Sequence, residues 1–460
     1  MKLRPWTMVI FAALPLLGAA CGSASSKSSA PAANTPGAKI FTSSGCASCH
    51  TLSAAQAKGQ VGPNLDLLKP DSATVAHQVR VGGNGMPSFS GKLSTRQIKQ
   101  VADFVSTASR NSGQLPKFEP DSTTIADCEQ HDTPGCFRQA FGNLAYSRGP
   151  QVALAQLDAD SRTVPGVVAD CHQISHSVGH ASLAYYHGNA AEALAHGGMT
   201  CNSGYYHGVV ELSLAGLPRS KVVKIARNLC TSPSVTKETF LLYQCVHGLG
   251  HGLMIYSGDD LFYSLHVCDN LTTPFDRTSC TGGVFMQNLA PGMLTSRFVK
   301  KGDPIYPCNV VPRRHKIYCY LQVTARILQV VGDNWPKVAA WCRRSEPGWV
   351  ATCFQSFGRD VAGFTEYHPR LAIKLCLEAG DMAGECIYGL ARDYGNNFAG
   401  GREAAQLCNL APARYRARCF EGIGTILGAL HRYEAGRRAA CAAVTPHRYM
   451  NDCLRGAAVL

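Results

Sequence analysis

The sequence predicts an all-α protein: a small N-terminal helical unit, then a larger disulfide-rich, solenoid-like array of helical repeats. Three observations carry this prediction. Beyond residue 125 the cysteines recur in short pairs. The later members, Cys245, Cys280, Cys319, Cys353, Cys386, Cys419 and Cys453, follow one another at 33 to 39 residues, a spacing that marks a helical repeat array. A glycine stands three residues after the later cysteine at Gly204, Gly248, Gly283, Gly389, Gly422 and Gly456, where a missing side chain lets two helices approach. The flanking segments carry Ala/Leu/Val stripes, as in Val338 to Cys342 and Ala372 to Leu377. With 45% hydrophobic and 16% charged residues, the 460-residue chain is not a solvated disordered one. No uncharged apolar run of about 18 residues follows the N-terminus, which argues against a polytopic membrane protein.

The first element, residues 1–21, reads as an export signal: Lys2 and Arg4 precede an apolar stretch from Trp6 to Ala20 that ends at Cys21. It resembles a bacterial lipoprotein signal, with Leu17 one place further from the cysteine than that family usually has it. The resemblance implies a lipid anchor on Cys21 and a chain held at the cell membrane, facing the periplasm or the cell exterior. A signal cut after Ala20 and a retained anchor segment are the alternatives. Residues 22–37, rich in Gly, Ser, Ala, Lys and Pro, read as a flexible linker that lets a tethered unit reach away from the surface.

Residues 38–110 form the next unit. Cys46-Ala47-Ser48-Cys49-His50 is the CxxCH signature of c-type haem attachment, since two thiols add to the two vinyl groups and the adjacent histidine reaches the iron. Ile40 and Phe41 precede it on a helix. Gly62-Pro63-Asn64-Leu65 and Gly85-Met86-Pro87 follow, then a helix from Ser94 to about Ala108 with an Ile98, Val101, Phe104 and Val105 stripe. The segment resembles a small class I mono-haem cytochrome c. That resemblance implies one covalent haem c on Cys46 and Cys49, with His50 as proximal ligand, Met86 as distal ligand and the Pro63 carbonyl orienting the imidazole. His77 is the rival distal ligand. His/Met ligation leaves no open iron position, so the haem is expected to move electrons to and from redox partner proteins. From residue 22 to 116 nine Lys/Arg face three Asp/Glu, a balance suited to acidic partners or anionic headgroups.

A polar, proline-bearing linker spans residues 111–124, and the array spans 125–460. Of the chain's 21 cysteines, Cys21, Cys46 and Cys49 are already assigned, which leaves 18 in the array. They pair by proximity as Cys128/Cys136, Cys230/Cys245, Cys268/Cys280, Cys308/Cys319, Cys342/Cys353, Cys376/Cys386, Cys408/Cys419 and Cys441/Cys453, with Cys171 and Cys201 left to each other. Outside the haem signature no CxxC spacing occurs, so disulfides in an oxidising compartment are expected rather than zinc. The array resembles Sel1/TPR-type solenoids in period only.

Of 16 histidines, nine fall between His172 and His266. His172, His176 and His180 lie at i, i+4 and i+8, on one helical face. His207 and Glu211 are four apart, as are His247 and His251. His207, His251 and Met286 occupy the same place in the repeat register and are expected to line one groove. Histidines four apart suit Zn, Cu, Fe or Ni; Met286 would favour copper and Glu211 iron or zinc. From residue 117 to 300 there are 15 Asp/Glu against 12 Lys/Arg, while from 301 onward 21 Lys/Arg face 13 Asp/Glu, so the acidic balance coincides with the histidines. The expected metal site is therefore the His-rich part, residues 171–286. Histidines that merely bond neighbouring carbonyls, or that contact the haem or sense pH, are the competing readings.

No nucleophile elbow, P-loop, dinucleotide fingerprint or HExxH occurs, and an exported chain is not expected to meet nucleic acid. Three functions remain: an electron-transfer protein with a docking array, an oxidoreductase whose haem serves a Cu or Fe centre in the array, and a metal-handling scaffold.

Overall fold

The computed structural model describes residues 34–460 except 60, 63, 83–85, 112–116, 132, 134, 199, 216, 290–297, 301 and 399–400. The expected signal with Cys21, most of the first linker and Pro63 lie outside the described residues. The described chain is all-α, as expected. It buries two hydrophobic cores, one between Ala38 and Ala108 and one between Cys128 and Ala457.

The first core is held by α1 (Pro36–Ser43), α2 (Cys46–Cys49), α3 (Leu65–Leu68), α4 (Ser72–Val81) and α5 (Thr95–Asn111). Each longer helix starts on a side-chain cap that satisfies an orphan N–H. The Ala38 N–H donates to Thr35 at 3.1 Å and the Thr74 N–H donates to Asp71 at 2.7 Å. Ser94 and Gln97 exchange reciprocal bonds before α5, with the Ser94 N–H donating at 2.9 Å and the Gln97 N–H at 3.3 Å. Ile98, Val101, Phe104 and Val105 are all buried, so the predicted stripe is the core face of α5. Phe41 meets Phe104 edge-on, with ring centres 6.0 Å apart. A two-residue hairpin, β1 (Thr51–Leu52) against β2 (Ala57–Lys58), is the departure from a purely helical expectation, and it is too short to alter the class.

The array opens with α6 (Ile125–Gln130), capped by a Thr124/Asp127 box, and α7 (Cys136–Arg148). There follow α8 (Pro150–Asp160), α9 (Pro165–Tyr185), α10 (Ala190–Ala195), α11 (Thr200–Leu214), α12 (Arg219–Leu229), α13 (Pro233–Thr236) and α14 (Thr239–Ser257). Next come α15 (Leu261–Asp269), α16 (Pro274–Leu289), α17 (Arg313–Tyr320), α18 (Val323–Val331), α19 (Trp335–Cys342) and α20 (Val350–Phe364). The chain ends through α21 (Pro369–Leu377), α22 (Ala383–Asn397), α23 (Arg402–Leu410), α24 (Ala413–Leu430), α25 (Glu434–Val444) and α26 (Met450–Gly456). Helices α7, α9, α11, α14 and α16 form one row, which continues through α18 into α20, α22, α24 and α26. Shorter helices such as α15, α21, α23 and α25 bridge consecutive members of that row. The row also curls back, because α14 touches α24.

Glycine sets how closely the row packs. A Cβ at Gly358 would lie 1.9 Å from the Cys386 carbonyl oxygen, and one at Gly389 would lie 1.9 Å from that of Gln355. The same reciprocal pair recurs as Gly250 on Cys280 with Gly283 on His247, and as Gly424 on Cys453 with Gly456 on Glu421. The backbones touch at these points, at distances suited to Cα–H···O contacts. The predicted glycine three after the cysteine is half of the device; the other half, five after the preceding cysteine, is seen only in three dimensions.

Eighteen cysteines form the nine expected disulfides: eight close loops with sequence separations of 8 to 15, and Cys171–Cys201 spans 30. A closed loop of 10 to 15 residues stabilises by about 3 kcal/mol in the chain-entropy model.

One half-buried carboxyl works against the fold at neutral pH. Asp393 on α22 accepts a hydrogen bond from the Tyr367 hydroxyl at 3.0 Å. Burial pushes its pKa up to about 6 despite the nearby Arg359 charge. The unfolded chain keeps the ordinary value near 3.8. The penalty is therefore absent below pH 4 and complete above pH 7. Asp393→Asn keeps the oxygen that Tyr367 needs. It is expected to stabilise the protein by on the order of 1–3 kcal/mol at pH 8 and by nothing measurable at pH 4, read by thermal unfolding at both pH values.

The two cores meet. A Cβ at Gly258, just beyond α14, would lie 2.7 Å from Thr74 on α4, and α3 also touches α14. Ser48, Lys58, Gly59 and Val61 share a cleft with Asp121, Thr123, Cys136 and Gln139, so the CxxCH turn borders the start of the array.

Candidate haem-attachment turn and histidine centre

Cys46 and Cys49 lie on the single turn of α2, and both are free thiols among described residues. Gly45 starts this turn in the left-handed conformation, at φ 76°. Burial raises the Cys46 thiol pKa, and Cys46 packs against the same core as Met86. His50 follows in extended conformation, with its N–H bonded to the Cys46 carbonyl at 3.0 Å. The Gly62 N–H donates to the Cys49 carbonyl at 2.7 Å, which brings the next loop beneath the imidazole. A Cβ at Gly62 would lie 2.5 Å from His50 Cε1, so only glycine leaves the ring this space. Two free thiols, an adjacent imidazole with space reserved for it, and a half-buried thioether on one core fit a covalent haem. His77 sits on α4 instead.

The second constellation is built by α9, α11, α14 and α16, held side by side by the glycine contacts. A Cβ at Gly204 would lie 2.6 Å from the His172 carbonyl oxygen and one at Gly208 2.1 Å from that of His176. The Cys171–Cys201 disulfide ties α9 to α11 at the same level. On this frame six of the nine clustered histidines come together. His172 Nε2 and His176 Nε2 are 3.2 Å apart, and His247 Nε2 and His251 Nε2 are 3.3 Å apart. His207 stands between the pairs: its ring centre is 5.2 Å from His172, 5.4 Å from His176 and 4.0 Å from His251, on which it stacks. Ligand atoms of His172, His176 and His207 all lie within 4.8 Å of one another. His180 joins through Glu211, whose carboxylate lies 3.3 Å from His180 Nε2 and 3.2 Å from His176 Nδ1.

Three of the Nδ1 atoms, those of His172, His176 and His251, have acceptors. His172 Nδ1 is 2.8 Å from the Cys201 carbonyl oxygen and His251 Nδ1 is 2.8 Å from Gln287 Oε1. Each acceptor fixes the proton on Nδ1 and leaves a lone pair on Nε2, as in imidazoles that ligate metals. His207 Nδ1 is buried without a partner. Desolvation lowers His172 and His247 to about 4, His172 with help from His176 and His247 against the pull of the Ser279 backbone. Desolvation, with the neighbouring imidazoles, holds His207 and His251 well below the usual histidine range. Burial opposes ionisation of Glu211, but the bonds from His176 and His180 prevail and keep it a carboxylate. Four imidazoles held neutral by burial, His172, His207, His247 and His251, with the Glu211 carboxylate nearby, are a donor set for a cation.

Met286 does not join. It is 42% exposed, and its neighbour Gln287 is the residue that meets His251. The expected groove of His207, His251 and Met286 is thus one place out of register on α16, because the helix turns Gln287 inward. Without Met286 the thioether argument for copper falls away. The remaining clustered histidines serve elsewhere: His196 stacks on Tyr186 and bonds the Glu192 carbonyl, His266 neighbours Asn270, and His187 sits in a turn with φ 53°. Gln287 and the Cys201 carbonyl were missed by sequence reasoning, since neither is a ligand type.

Comparison with known proteins covers the first core. Residues 32–105 match the family described as cytochrome c oxidase, cbb3-type, subunit III. The cytochrome c6 of a Nostoc species is 40% identical over 101 residues, covering 20% of this chain and 86% of that protein. The cytochrome c6 of Limnospira maxima is 38% identical over 77 residues, covering 15% of this chain and 85% of that protein. The cbb3-type oxidase subunit FixP of Sinorhizobium medicae is 33% identical over 144 residues, 26% of this chain, and the match spans about half, 49%, of its length. No solved structure matches the chain significantly. The thiol turn and the helices around it define a c-type cytochrome domain. Through residues 32–105 the chain belongs to the cytochrome c family. Membership implies covalently bound haem c and haem-based electron transfer. Among the described residues no helix is long and apolar enough to cross a membrane.

Proposed function

We propose that the protein is an exported electron-transfer cytochrome whose array holds a redox-active transition metal. Cys46 and Cys49 would hold the haem, and His50 and Met86 would be the ligands to its iron. When bound, that group supplies one-electron transfer without an open iron position. The glycine at position 62 leaves the His50 ring its place beneath the turn. The metal would be taken by His172, His176 and His207, a three-imidazole set, the ligand number of catalytic rather than structural sites. Imidazole donors suit Cu, Fe and Zn, and coupling to a haem favours Cu or Fe. If the array is an enzyme, it is an oxidoreductase. The observation that carries this reading is the convergence of those three imidazoles within 4.8 Å. Its nearness to the haem unit supports it further, because Thr74 packs at Gly258, seven residues beyond His251 and about 10 Å along the chain's helical rise.

Metal analysis of the full-length, haem-loaded protein tests the reading. At least one transition-metal ion beyond the haem iron is expected per chain; none after exposure to copper, iron and zinc salts would leave a plain electron carrier whose histidines bond carbonyls. The haem ligation has its own check. Met86→Ala is expected to abolish the weak red absorption of Met-ligated ferric haem and to let carbon monoxide bind the ferrous haem. An unchanged spectrum would return the distal position to His77. The tether on Cys21 is tested by labelled fatty acid, which Cys21→Ser should fail to incorporate.

A further inference from the structure

The geometry points to a centre of two metal ions rather than one, the second held by His247 and His251. This rests on the array being a metal-binding unit at all, as proposed above, and adds how many ions it takes and where.

The first argument is the spacing of the nitrogens. Around a tetrahedral ion with metal–nitrogen bonds of about 2.0–2.1 Å, neighbouring ligand nitrogens stand about 3.3 Å apart. His172 and His176 show 3.2 Å between their Nε2 atoms, and His247 and His251 show 3.3 Å. With acceptors beside Nδ1 of His172, His176 and His251, these Nε2 atoms carry lone pairs. In the first pair the two facing lone pairs repel each other unless a cation lies between them, and the second pair shows the same spacing. Each pair is therefore the chelating edge of its own ion.

The second argument is repetition. Helix α14 packs on α16 as α9 packs on α11: Gly283 meets the His247 carbonyl, and Gly204 meets the His172 carbonyl. In each unit the second histidine of the pair finds a polar side chain on the neighbouring helix, Glu211 for His176 and Gln287 for His251. The half-sites differ in charge, since one acceptor is a carboxylate and the other an amide.

The third argument separates the ions. His207 completes the first half-site, and the His247/His251 pair falls outside its 4.8 Å group. The His207 and His251 rings are stacked at 4.0 Å with planes 20° apart. The lone pairs of stacked rings run side by side in nearly parallel planes, so they serve two neighbouring ions rather than one. With the two lone pairs running the same way the ions would be about 4 Å apart, the separation at which two metals act on one bound atom or group. The first ion has three protein ligands and the second has two, so each keeps a coordination position for a small oxygen- or nitrogen-donor molecule.

The test uses full-length, haem-loaded protein, stripped of other metal by chelation and reloaded with copper(II). Two coppers per haem iron are expected by mass spectrometry. The two Cu(II) ions should be magnetically coupled, so the resonance signal should account for well under half of the copper present. In His247→Gln/His251→Gln the count should fall to one, and the remaining copper should be fully visible. One copper per haem in the native protein, fully visible, would overturn the two-ion centre while leaving the metal-binding array standing. No copper at all would overturn both. The count on the native protein decides without relying on the variant's folding.

Discussion

Replacing Cys46 and Cys49 together by serine is expected to give a chain with no covalently attached haem. Haem staining after denaturing electrophoresis should be lost completely. These are the free thiols among the described residues, so no other described cysteine can substitute. The array should be unaffected, because its core and its nine disulfides are separate from the first core. Retained far-ultraviolet helicity with an absent haem band is the expected pattern. A persisting band would mean that the CxxCH turn is not the attachment site. Either single serine leaves one thiol and should leave reduced, singly attached haem.

The second large effect is expected at the helix contacts. In Gly358→Val the new Cβ would fall 1.9 Å from the Cys386 carbonyl oxygen and 2.6 Å from the Leu390 nitrogen. Both are backbone atoms, and both helices are disulfide-tied, through Cys342–Cys353 and Cys376–Cys386. Neither side can yield by a rotamer change, so α20 and α22 must move apart and open their shared core. A loss of more than about 3 kcal/mol is expected, at the severe end for single substitutions. Gly363→Ala on the same helix is the control. Nothing lies within 4 Å of its would-be Cβ, and alanine should add roughly 0.5–1 kcal/mol through helix propensity. Denaturant melts of the two variants should move in opposite directions. Equal melts would mean that the close backbone approach contributes nothing to stability.

Much of this architecture is legible in the sequence because it is local. Pairing by proximity requires only neighbouring cysteines, and a histidine face requires only the helical period. The haem turn is five consecutive residues. What escaped is set by partners distant in sequence. Gly250, Gly358 and Gly424 have meaning only once the carbonyls of Cys280, Cys386 and Cys453 are brought against them. The choice of Gln287 over Met286 depends on a rotation of α16 of about 100°, one residue's worth, which the cysteine register does not constrain. The return of α14 to α24 depends on small angles summed over several repeats. Six of the nine clustered histidines converge because α9, α11 and α14 are adjacent. The other three point elsewhere, and residue type alone did not separate them.

Eight of the nine disulfides join cysteines 8 to 15 residues apart. Such a layout has a consequence for biosynthesis. Each bond can close as soon as its own short stretch has emerged, before the next pair appears, so oxidation can proceed in chain order without a large pool of competing thiols. The exception, Cys171–Cys201, must wait for a further 30 residues, and it is the bond that brings His172 beside His207. During that interval the Cys171 thiol stands unpaired next to nascent histidines. Protection of this one pair, more than of the other eight, would then govern the yield of correctly matured protein.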